Sequence, residues 1–408
     1  MKTFAALRDG LDDFLGSHLE GLENEQRIEA LGWYCQGLGF EVEAKTALGL
    51  AAAMAPNEIQ GMRQRIQRAL HGRFRHGEVF ERLQETVFES GKMQAYCIDD
   101  TGIAKKGSCS VGVQRQYSGT LGKIGNCQVV VSLHGVSDTF GACLGLQLYL
   151  PESWSTEPTR LEKAKVPEGV EFKKKWELAL GLLDSARANG GASLPVLADA
   201  GYGDCRDFRD ELRKRGLKYV VGISPQTSVW RPGTKTAVPK RKGPGRPSQR
   251  AIAVDGGEPV LVNKLANELV EAGKLKRVRW RTGTKGPLEA EFAAVRVCSA
   301  ERRTKQRPPG EEEWLLVERE KNGNLKYYLS SSSARATLKT LVGLAKMRWH
   351  IERDYQNMKQ ELGFDKYEGR TWGGLHRHLA MVALMHAFIA LHMEGFSPSG
   401  LIEALDLE

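Results

Sequence analysis

Two apolar, strand-like runs of the sequence each end in aspartate, and this pattern restricts the fold more than any other feature. The first run leads into Asp99 and Asp100, and the second leads into Asp199. A further carboxylate, Glu352, follows much later in a segment with helical spacing. Carboxylates at two strand ends and on one helix can converge on a pair of divalent cations, which activate a water and stabilise the leaving oxygen of a phosphodiester. The pattern therefore predicts an α/β fold that carries a two-metal site.

The net charge of the chain indicates what kind of partner it binds, and its cysteines indicate the redox state of its compartment. The chain has 408 residues and a formal net charge of +9, which favours a polyanionic partner such as nucleic acid. Its seven cysteines include no Cys-x-x-Cys pair, which predicts neither a disulfide framework nor structural zinc and fits a reducing cytoplasm. The apolar stretch 379–391 is interrupted by His386 and is too short for a membrane span, so we expect no membrane partner.

The first 90 residues have helical periodicity. Candidate helices cover residues 4–22, 27–38, 57–71 and 78–90. The third carries Arg63, Arg65 and Arg68 and is followed by Arg73. A solvated helix face explains any one of these arginines, whereas their density also fits DNA-end binding. We predict a helical DNA-binding domain over residues 1–90.

Residues 91–224 change to strands and then to an alternation of helix and strand. Predicted strands cover residues 94–99, 108–117 (pairing with the first), 127–135, 144–150, 194–199 and 218–223, and predicted helices cover 174–189 and 204–215. A meander followed by helix–strand alternation predicts a mixed α/β sheet, in the element order of the ribonuclease-H-like fold. We predict this segment to be the first part of a catalytic domain.

A basic, proline-rich segment interrupts that domain. Residues 225–254 contain no acidic residue and centre on Lys240, Arg241, Lys242 and Arg246, so they form either a flexible linker or a minor-groove hook. Strands are predicted to resume at 274–282, 289–298, 313–319 and 326–330. We predict a β-rich insertion with a basic linker over residues 225–332. Residues 333–408 return to the catalytic domain, with helices at 336–362 and 374–393.

Each acidic position also has an ordinary structural explanation. An aspartate that closes a strand commonly caps a turn or a helix, which applies to Asp100 and Asp199. Glu352 shares one helix stripe with Arg348 and Lys359, and such a stripe can be a ladder of surface ion pairs. The three carboxylates in this order carry more weight together than any one of them.

The surrounding motifs identify a family. The chain resembles the DDE transposases of bacterial insertion sequences, most closely the insertion sequence 701 family. The resemblance rests on Ile98-Asp99-Asp100-Thr101-Gly102, Lys105-Lys106-Gly107, Arg115-Gln116-Tyr117-Ser118-Gly119, Leu148-Tyr149-Leu150-Pro151-Glu152-Ser153-Trp154, Asp199-Ala200-Gly201-Tyr202-Gly203, Arg348-Trp349-x-x-Glu352, Tyr367-Glu368-x-Arg370-x-Trp372 and His376-Arg377-His378. These motifs run in order through nearly the whole chain, which makes the resemblance specific.

The resemblance implies a role for each acidic residue. Asp100, Asp199 and Glu352 are implied as the catalytic, metal-holding carboxylates, with Asp99 as the alternative to Asp100. Related transposases have a tyrosine at a fixed distance before the glutamate, where this sequence has Ala345. Whether a DNA hairpin forms during cleavage is therefore open.

The resemblance also implies a cofactor and DNA contacts. The metal would be Mg²⁺, for which Mn²⁺ substitutes, because hard oxygen ligands suit both ions. The resemblance implies DNA contacts for Arg348, Lys359 and Trp280. The charge and position of a second group also lead us to expect DNA contacts from Lys105 and Lys106 in a turn and from the basic segment with Lys240, Arg241, Lys242 and Arg246. Trp280 lies in the insertion, where it either grips a flipped base or packs in the core.

We therefore expect an enzyme that cleaves the ends of an insertion sequence and joins them to target DNA. Its partner would be double-stranded DNA, both terminal repeats and target, and it would act as a homodimer on DNA in the bacterial cytoplasm, at the nucleoid. One alternative is a catalytically silent or domesticated DNA-binding relative. A second is a different metal-dependent nuclease of the same fold, such as a junction resolvase.

Overall fold

The computed structural model describes residues 4–392, except 41, 43, 73–74, 120–121, 232, 239, 241–242, 245–251, 255–257, 284–285 and 301–309. Arg73, Arg241, Lys242 and Arg246 thus lie outside the described residues. The chain forms two compact units. The first unit comprises residues 1–192 and 349–408, and the second comprises residues 193–348.

The elements are numbered in chain order. The helices are α1 (Phe4–Leu19), α2 (Glu25–Gly39), α3 (Ala47–Met54), α4 (Ile59–Leu70), α5 (His76–Glu89), α6 (Glu152–Ser155), α7 (Pro158–Lys163), α8 (Lys175–Ala188), α9 (Ala200–Gly203), α10 (Arg206–Lys214), α11 (Val262–Glu271), α12 (Leu338–Met347), α13 (Trp349–Gln360) and α14 (Trp372–His392). The strands are β1 (Ala95–Ala104), β2 (Gln114–Ser118), β3 (Lys123–Val136), β4 (Gly141–Tyr149), β5 (Val196–Ala198), β6 (Tyr219–Ile223), β7 (Ser228–Trp230), β8 (Thr236–Ala237), β9 (Ile252–Ala253), β10 (Val260–Leu261), β11 (Lys276–Gly283), β12 (Gly286–Ala300), β13 (Glu312–Arg319) and β14 (Leu325–Ser330).

The first unit combines the N-terminal helices with an antiparallel sheet. β3 pairs with β1 along one edge and with β4 and β2 along the other, and its residues 127–136 are buried, as predicted for a central strand. The helix α14 is buried along most of its length and packs on β4, α5 and α2. Among the described residues it is the one helix long and apolar enough to cross a membrane, and 89% of its most apolar window is buried in the protein.

The second unit contains the strands β5 to β14. β5 and β6 are parallel and are connected through α9 and α10. From β6 the sheet continues through β14, β13, β12, β7 and β10, with β11 also paired to β12. The predicted mixed α/β fold is confirmed, and its elements follow the order expected for the ribonuclease-H-like fold, β1-β3-β4-α8-β5-α10-β6, with further strands after them.

Two predicted elements were wrong. The strand predicted at 108–117 is shorter, starts at Gln114 and pairs with β3 rather than β1. Gly107 and Gly112 both have positive φ (77° and 69°), so the segment before Gln114 turns instead of extending. The long helix predicted at 336–362 is divided at Arg348 into α12 and α13, although Arg348 keeps right-handed helical angles (φ −57°, ψ −23°).

Candidate active site

Asp99 and Asp100 lie next to each other on β1 and face opposite sides of the sheet, because successive side chains on a strand alternate. Both carboxylates are half-buried. Asp99 pairs across the sheet with Ser132, and Asp100 pairs with Val131. The side chains of directly opposed residues share a face, so Asp99 shares its face with Ser132. The two carboxylates therefore have different neighbours, one set on each face of the sheet.

Asp100 faces α8. The Nζ of Lys175, at the start of that helix, lies 3.0 Å from Oδ1 and 3.2 Å from Oδ2 of Asp100. The ammonium thus holds both oxygens of the carboxylate. Side-chain exposures of 35% for Lys175 and 22% for Asp100 leave the pair within reach of solvent.

Asp99 faces α13, the helix that carries Glu352. The hydroxyl of Tyr355 lies 2.5 Å from that of Ser132, the residue opposite Asp99. Burial, and after it the negative charge of Asp99, raises the pKa of Tyr355 well above its ordinary value. One turn further along α13, Lys359 Nζ donates to Thr101 Oγ1 at 2.6 Å and to the carbonyl of Gly102 at 3.2 Å. These contacts dock the Glu352 helix on the Asp99 face.

A buried ion network holds the same helix from beneath. Asp354 accepts a hydrogen bond from His134 Nδ1 on β3 at 2.7 Å, and His386 on α14 lies 3.5 Å away on its other oxygen. Burial opposes the charge of His134, but Cys143 and Asp354 outweigh it and raise the pKa of His134 to about 10. The pKa of Asp354 is lowered because His386 and His134 outweigh its burial. The pair is therefore ionised inside the first unit.

A glycine makes room for this network. A Cβ at Gly141 on β4 would lie 2.6 Å from Oδ1 of Asp354. Any larger side chain at this position would therefore displace the carboxylate from its histidines. Glu352, two residues before Asp354, is exposed in the first turn of α13.

Asp199 lies in the second unit and caps a short helix. Its Oδ1 accepts from the backbone N–H of Gly201 at 2.9 Å and of Tyr202 at 3.3 Å, so the capping role expected for a strand-terminal aspartate is present. Gly203 brings this helix close to β6, because a Cβ there would lie 1.8 Å from the carbonyl oxygen of Gly222. The local backbone therefore fixes where the Asp199 carboxylate stands within its unit.

The predicted carboxylates have the chemistry of a metal site, although their grouping stays a prediction. Within neither unit do three His, Cys, Asp or Glu side chains of the described residues lie close enough together to hold a metal ion. Carboxylate oxygens are the hard ligands that Mg²⁺ prefers. The donor set therefore fits a divalent cation.

The residues predicted to contact DNA are in different surroundings. The Nζ of Lys105 donates to the carbonyl of Tyr367, and burial lowers the pKa of Lys105. Lys106 and Lys240 are exposed. Arg348 caps the end of α12.

Trp280 is half-buried in the second unit. It packs edge-on against Phe292, with ring centroids 5.9 Å apart, and Lys346 Nζ lies 4.8 Å from its ring centroid. The packing alternative considered for this tryptophan is thus present, while a contact with DNA stays a prediction.

Sequence reasoning missed the residues that support the site. Lys175, His134 and Asp354 belong to no motif that the spacing of carboxylates reveals. The sequence does contain a signal for Asp354: it lies four residues before Met358, which places both on the same, buried face of α13. A charged residue on such a face indicates a buried partner.

Comparison with known proteins places these features in a family. The model of a family described as DDE superfamily endonuclease matches residues 18–287. A relative named probable transposase for insertion sequence element IS701, from Microchaete diplosiphon, is 33% identical over 127 residues, which are 31% of this chain and 30% of the relative. The chain thus matches less than a third of that relative's length. The structure of a piggyBac transposase synaptic complex with hairpin DNA aligns over 94% of this chain and 70% of that one, with a TM-score of 0.46 and 13% identity.

Proposed function

Because this chain belongs to the DDE superfamily of endonucleases, we propose that it is a transposase that cleaves the ends of an insertion sequence and joins them to target DNA. The observation that carries the proposal is the docking of the Glu352 helix on the sheet face of Asp99 through Tyr355 and Lys359. Asp99 and Glu352, which are 253 residues apart in the sequence, thus belong to one unit. The network of Asp354 holds the helix in that register.

The carboxylates would hold the divalent cations. Asp199, Glu352 and one member of the Asp99–Asp100 pair are the proposed ligands, as the sequence predicted. Asp100, the first choice from sequence, stays a prediction. The facing of the side chains favours Asp99 instead, because Asp100 is engaged by Lys175 on the opposite face. When bound, the cations would activate a water or a DNA 3′ hydroxyl and stabilise the leaving oxygen.

The basic residues would bind the phosphates of the DNA substrate. We propose that Arg348 and Lys359 contact phosphates beside the carboxylates, since arginine forks onto phosphate oxygens and lysine acts as a point charge. Lys106 and Lys240 are exposed and can reach the DNA backbone. Each chain carries one set of carboxylates, whereas a transposase must cut two DNA ends. We therefore propose that the protein acts as a homodimer on DNA. Its proposed location is the nucleoid in the cytoplasm.

Cleavage of a labelled element end in Mg²⁺ tests the activity. We expect cleavage by the wild type, none in EDTA, and none by Glu352→Ala, which should still bind DNA. A protein that binds the end but leaves it intact in both Mg²⁺ and Mn²⁺ would instead be the silent DNA-binding relative.

Assembly is tested by mixing two inactive chains. A Glu352→Ala chain is combined with a chain whose DNA binding is disabled. Restored cleavage in the mixture supports action across protomers. Joining of both ends by a complex that light scattering shows to hold one protein chain would contradict the dimer.

A further inference from the structure

A polar groove of about 510 Å³ runs between α2 and α4 in the first unit. Its floor holds Ala30 and Ala69, which are buried, while longer side chains of both helices form its walls. Small residues at the floor let those walls stand apart. Its volume falls in the range of small-molecule sites and would admit a nucleotide.

The walls carry one aromatic ring and several guanidinium groups. Trp33 is half-buried, and the guanidinium carbon of Arg65 lies 5.6 Å from its ring centroid. Arg68 lines the groove beside Arg65 on α4, and Arg27 lines it on α2. Glu29 is the one acidic side chain that lines the groove with these three arginines.

The arginines differ in how firmly they are held. Arg27 pairs with Glu23 at 2.7 Å. Arg65 has a long contact of 3.7 Å with Glu58, and both side chains are exposed (45% and 63%). Ion pairs of this exposed kind contribute little, so a phosphate can replace Glu58 at Arg65 at small cost.

We propose that this groove binds a DNA strand through its phosphates and stacks an unpaired base on Trp33. The proposal rests on the function proposed above and names a DNA contact apart from the carboxylates. Arg65 and Arg68 would fork onto successive phosphates, which arginine does more specifically than lysine. The ring face that takes a planar guanidinium also suits a planar base, and such stacking tolerates any sequence. An acidic peptide would satisfy the arginines but would leave the aromatic face without a planar partner.

The test measures binding in EDTA, so that it does not depend on cleavage. The probe is a fluorescent single strand of about 16 nucleotides, compared with the same sequence as a duplex. For Arg65→Ala combined with Arg68→Ala, we expect the slope of log K against log salt to fall by about 1.4 on the single strand. Arg63→Ala is the matched control, because it removes an arginine of α4 that does not line the groove.

The tryptophan is tested by a conservative and a disruptive change. Trp33→Leu should weaken single-strand binding by between about 5- and 100-fold, whereas Trp33→Phe should retain most of it. DNA should quench the intrinsic tryptophan fluorescence more in the wild type than in Trp33→Phe, because the variant lacks the contribution of Trp33. Circular dichroism of each variant confirms that the helices are intact.

Three results would overturn the groove as a DNA site. One is an unchanged salt slope for the double variant, and a second is an equal loss per charge for Arg63→Ala. A third is displacement of DNA by poly-glutamate with the same quenching of Trp33, which would assign the groove to an acidic peptide. A wild type that binds no DNA at all would contradict the proposed function itself, while wild-type binding with a neutral double variant contradicts the groove alone.

Discussion

The hydroxyls of Tyr355 and Ser132 lie 2.5 Å apart and join the Glu352 helix to the strand opposite Asp99. Tyr355 is buried, and its partner belongs to the central strand of the first unit. The contact fixes which face of β1 the helix covers. The two neighbouring aspartates therefore lie on faces of the sheet with different contacts: Asp99 faces α13, and Asp100 faces α8.

Replacing each aspartate in turn tests this separation. We expect Asp99→Asn to lower cleavage by about a thousandfold, because a lost metal ligand removes several kcal/mol of transition-state stabilisation. Asp100→Asn should retain more activity, since it loses the partner of Lys175 instead. Rates are measured on a labelled DNA end, with DNA binding in EDTA as the control for folding.

Lys175→Met adds a second measurement to the same question. If Asp99 is the ligand, the Mg²⁺ concentration for half-maximal cleavage should stay within about twofold of the wild type, a shift of less than 0.5 kcal/mol. A several-fold decrease would mean that the ammonium competes with Mg²⁺ at Asp100. That result, or an active Asp99→Asn variant, would restore Asp100 as the metal ligand.

Breaking the buried pair of His134 and Asp354 should strongly destabilise the first unit. His134→Ala leaves the carboxylate of Asp354 charged in the interior, and such a change costs about 3–5 kcal/mol of unfolding free energy. Urea unfolding measures the loss. Lys214→Ala removes an exposed pair with Glu211, in which the lysine is 71% exposed, and should change stability by less than about 1 kcal/mol. Equal effects of the two variants would show that the buried pair is not ionised.

Gly203 should be intolerant of a methyl group. In Gly203→Ala the new Cβ would meet the backbone oxygen of Gly222, which cannot move aside, and we expect a loss of about 2–3 kcal/mol. Gly181→Ala is the control, because nothing lies within 4 Å of its Cβ position in the middle of α8. That change should stabilise the protein by up to about 1 kcal/mol. Thermal unfolding distinguishes the two, and a neutral Gly203→Ala would contradict the close approach.

His378 should make the protein sensitive to acid. Burial lowers its pKa to about 4, while Tyr34 and the carbonyl of Phe364 hold the neutral ring at 2.7 Å and 3.1 Å. Because the folded pKa lies below the unfolded value near 6.5, the unfolded state binds more protons between these values. Stability should therefore fall as the pH drops from 6.5 to 4, by about 3 kcal/mol for this residue.

The acid sensitivity is assigned to this residue by substitution. Unfolding free energies of the wild type and His378→Gln are compared across that pH window. The unfolding free energy of the variant should depend less steeply on pH. Part of the dependence should remain, because His376 and His386 also have lowered pKa values. Parallel slopes would mean that His378 is charged or exposed.

The sequence predicted the elements that have a strong local period. The four helices predicted in the first 90 residues, the buried strand β3 and the strands of the predicted insertion are present, whereas α3 was not predicted. Periodicity failed where turn geometry decided, at Gly107 and Gly112, and where a helix was divided at Arg348. The first failure concerns the backbone angles of two glycines, to which the spacing of apolar residues is insensitive. The division at Arg348 has no such explanation, because the backbone angles there remain helical.

The sequence indicated the acidic residues proposed for the site, but it did not indicate the residues that support them. Expected strand ends and motifs led to Asp99, Asp100 and Asp199, but only Asp199 directly follows a strand, because β1 continues to Ala104. Which face a side chain takes depends on strand register. His134 reads as one more residue of an apolar run, and its partner Asp354 follows 220 residues later. Pairs at that distance are set by tertiary packing, which a single sequence does not display.

The divided first unit also sets a schedule for synthesis. β1 to β4 leave the ribosome early, but α13 and α14, which cover them, follow only after the entire second unit. At 5–20 residues per second the wait is on the order of tens of seconds, during which the sheet has α5 and α8 packed on it but lacks α13 and α14. A product that stops before α13 also lacks Glu352. Under the proposed mechanism, a host cell would therefore meet DNA-cutting activity only from chains whose translation has passed that helix.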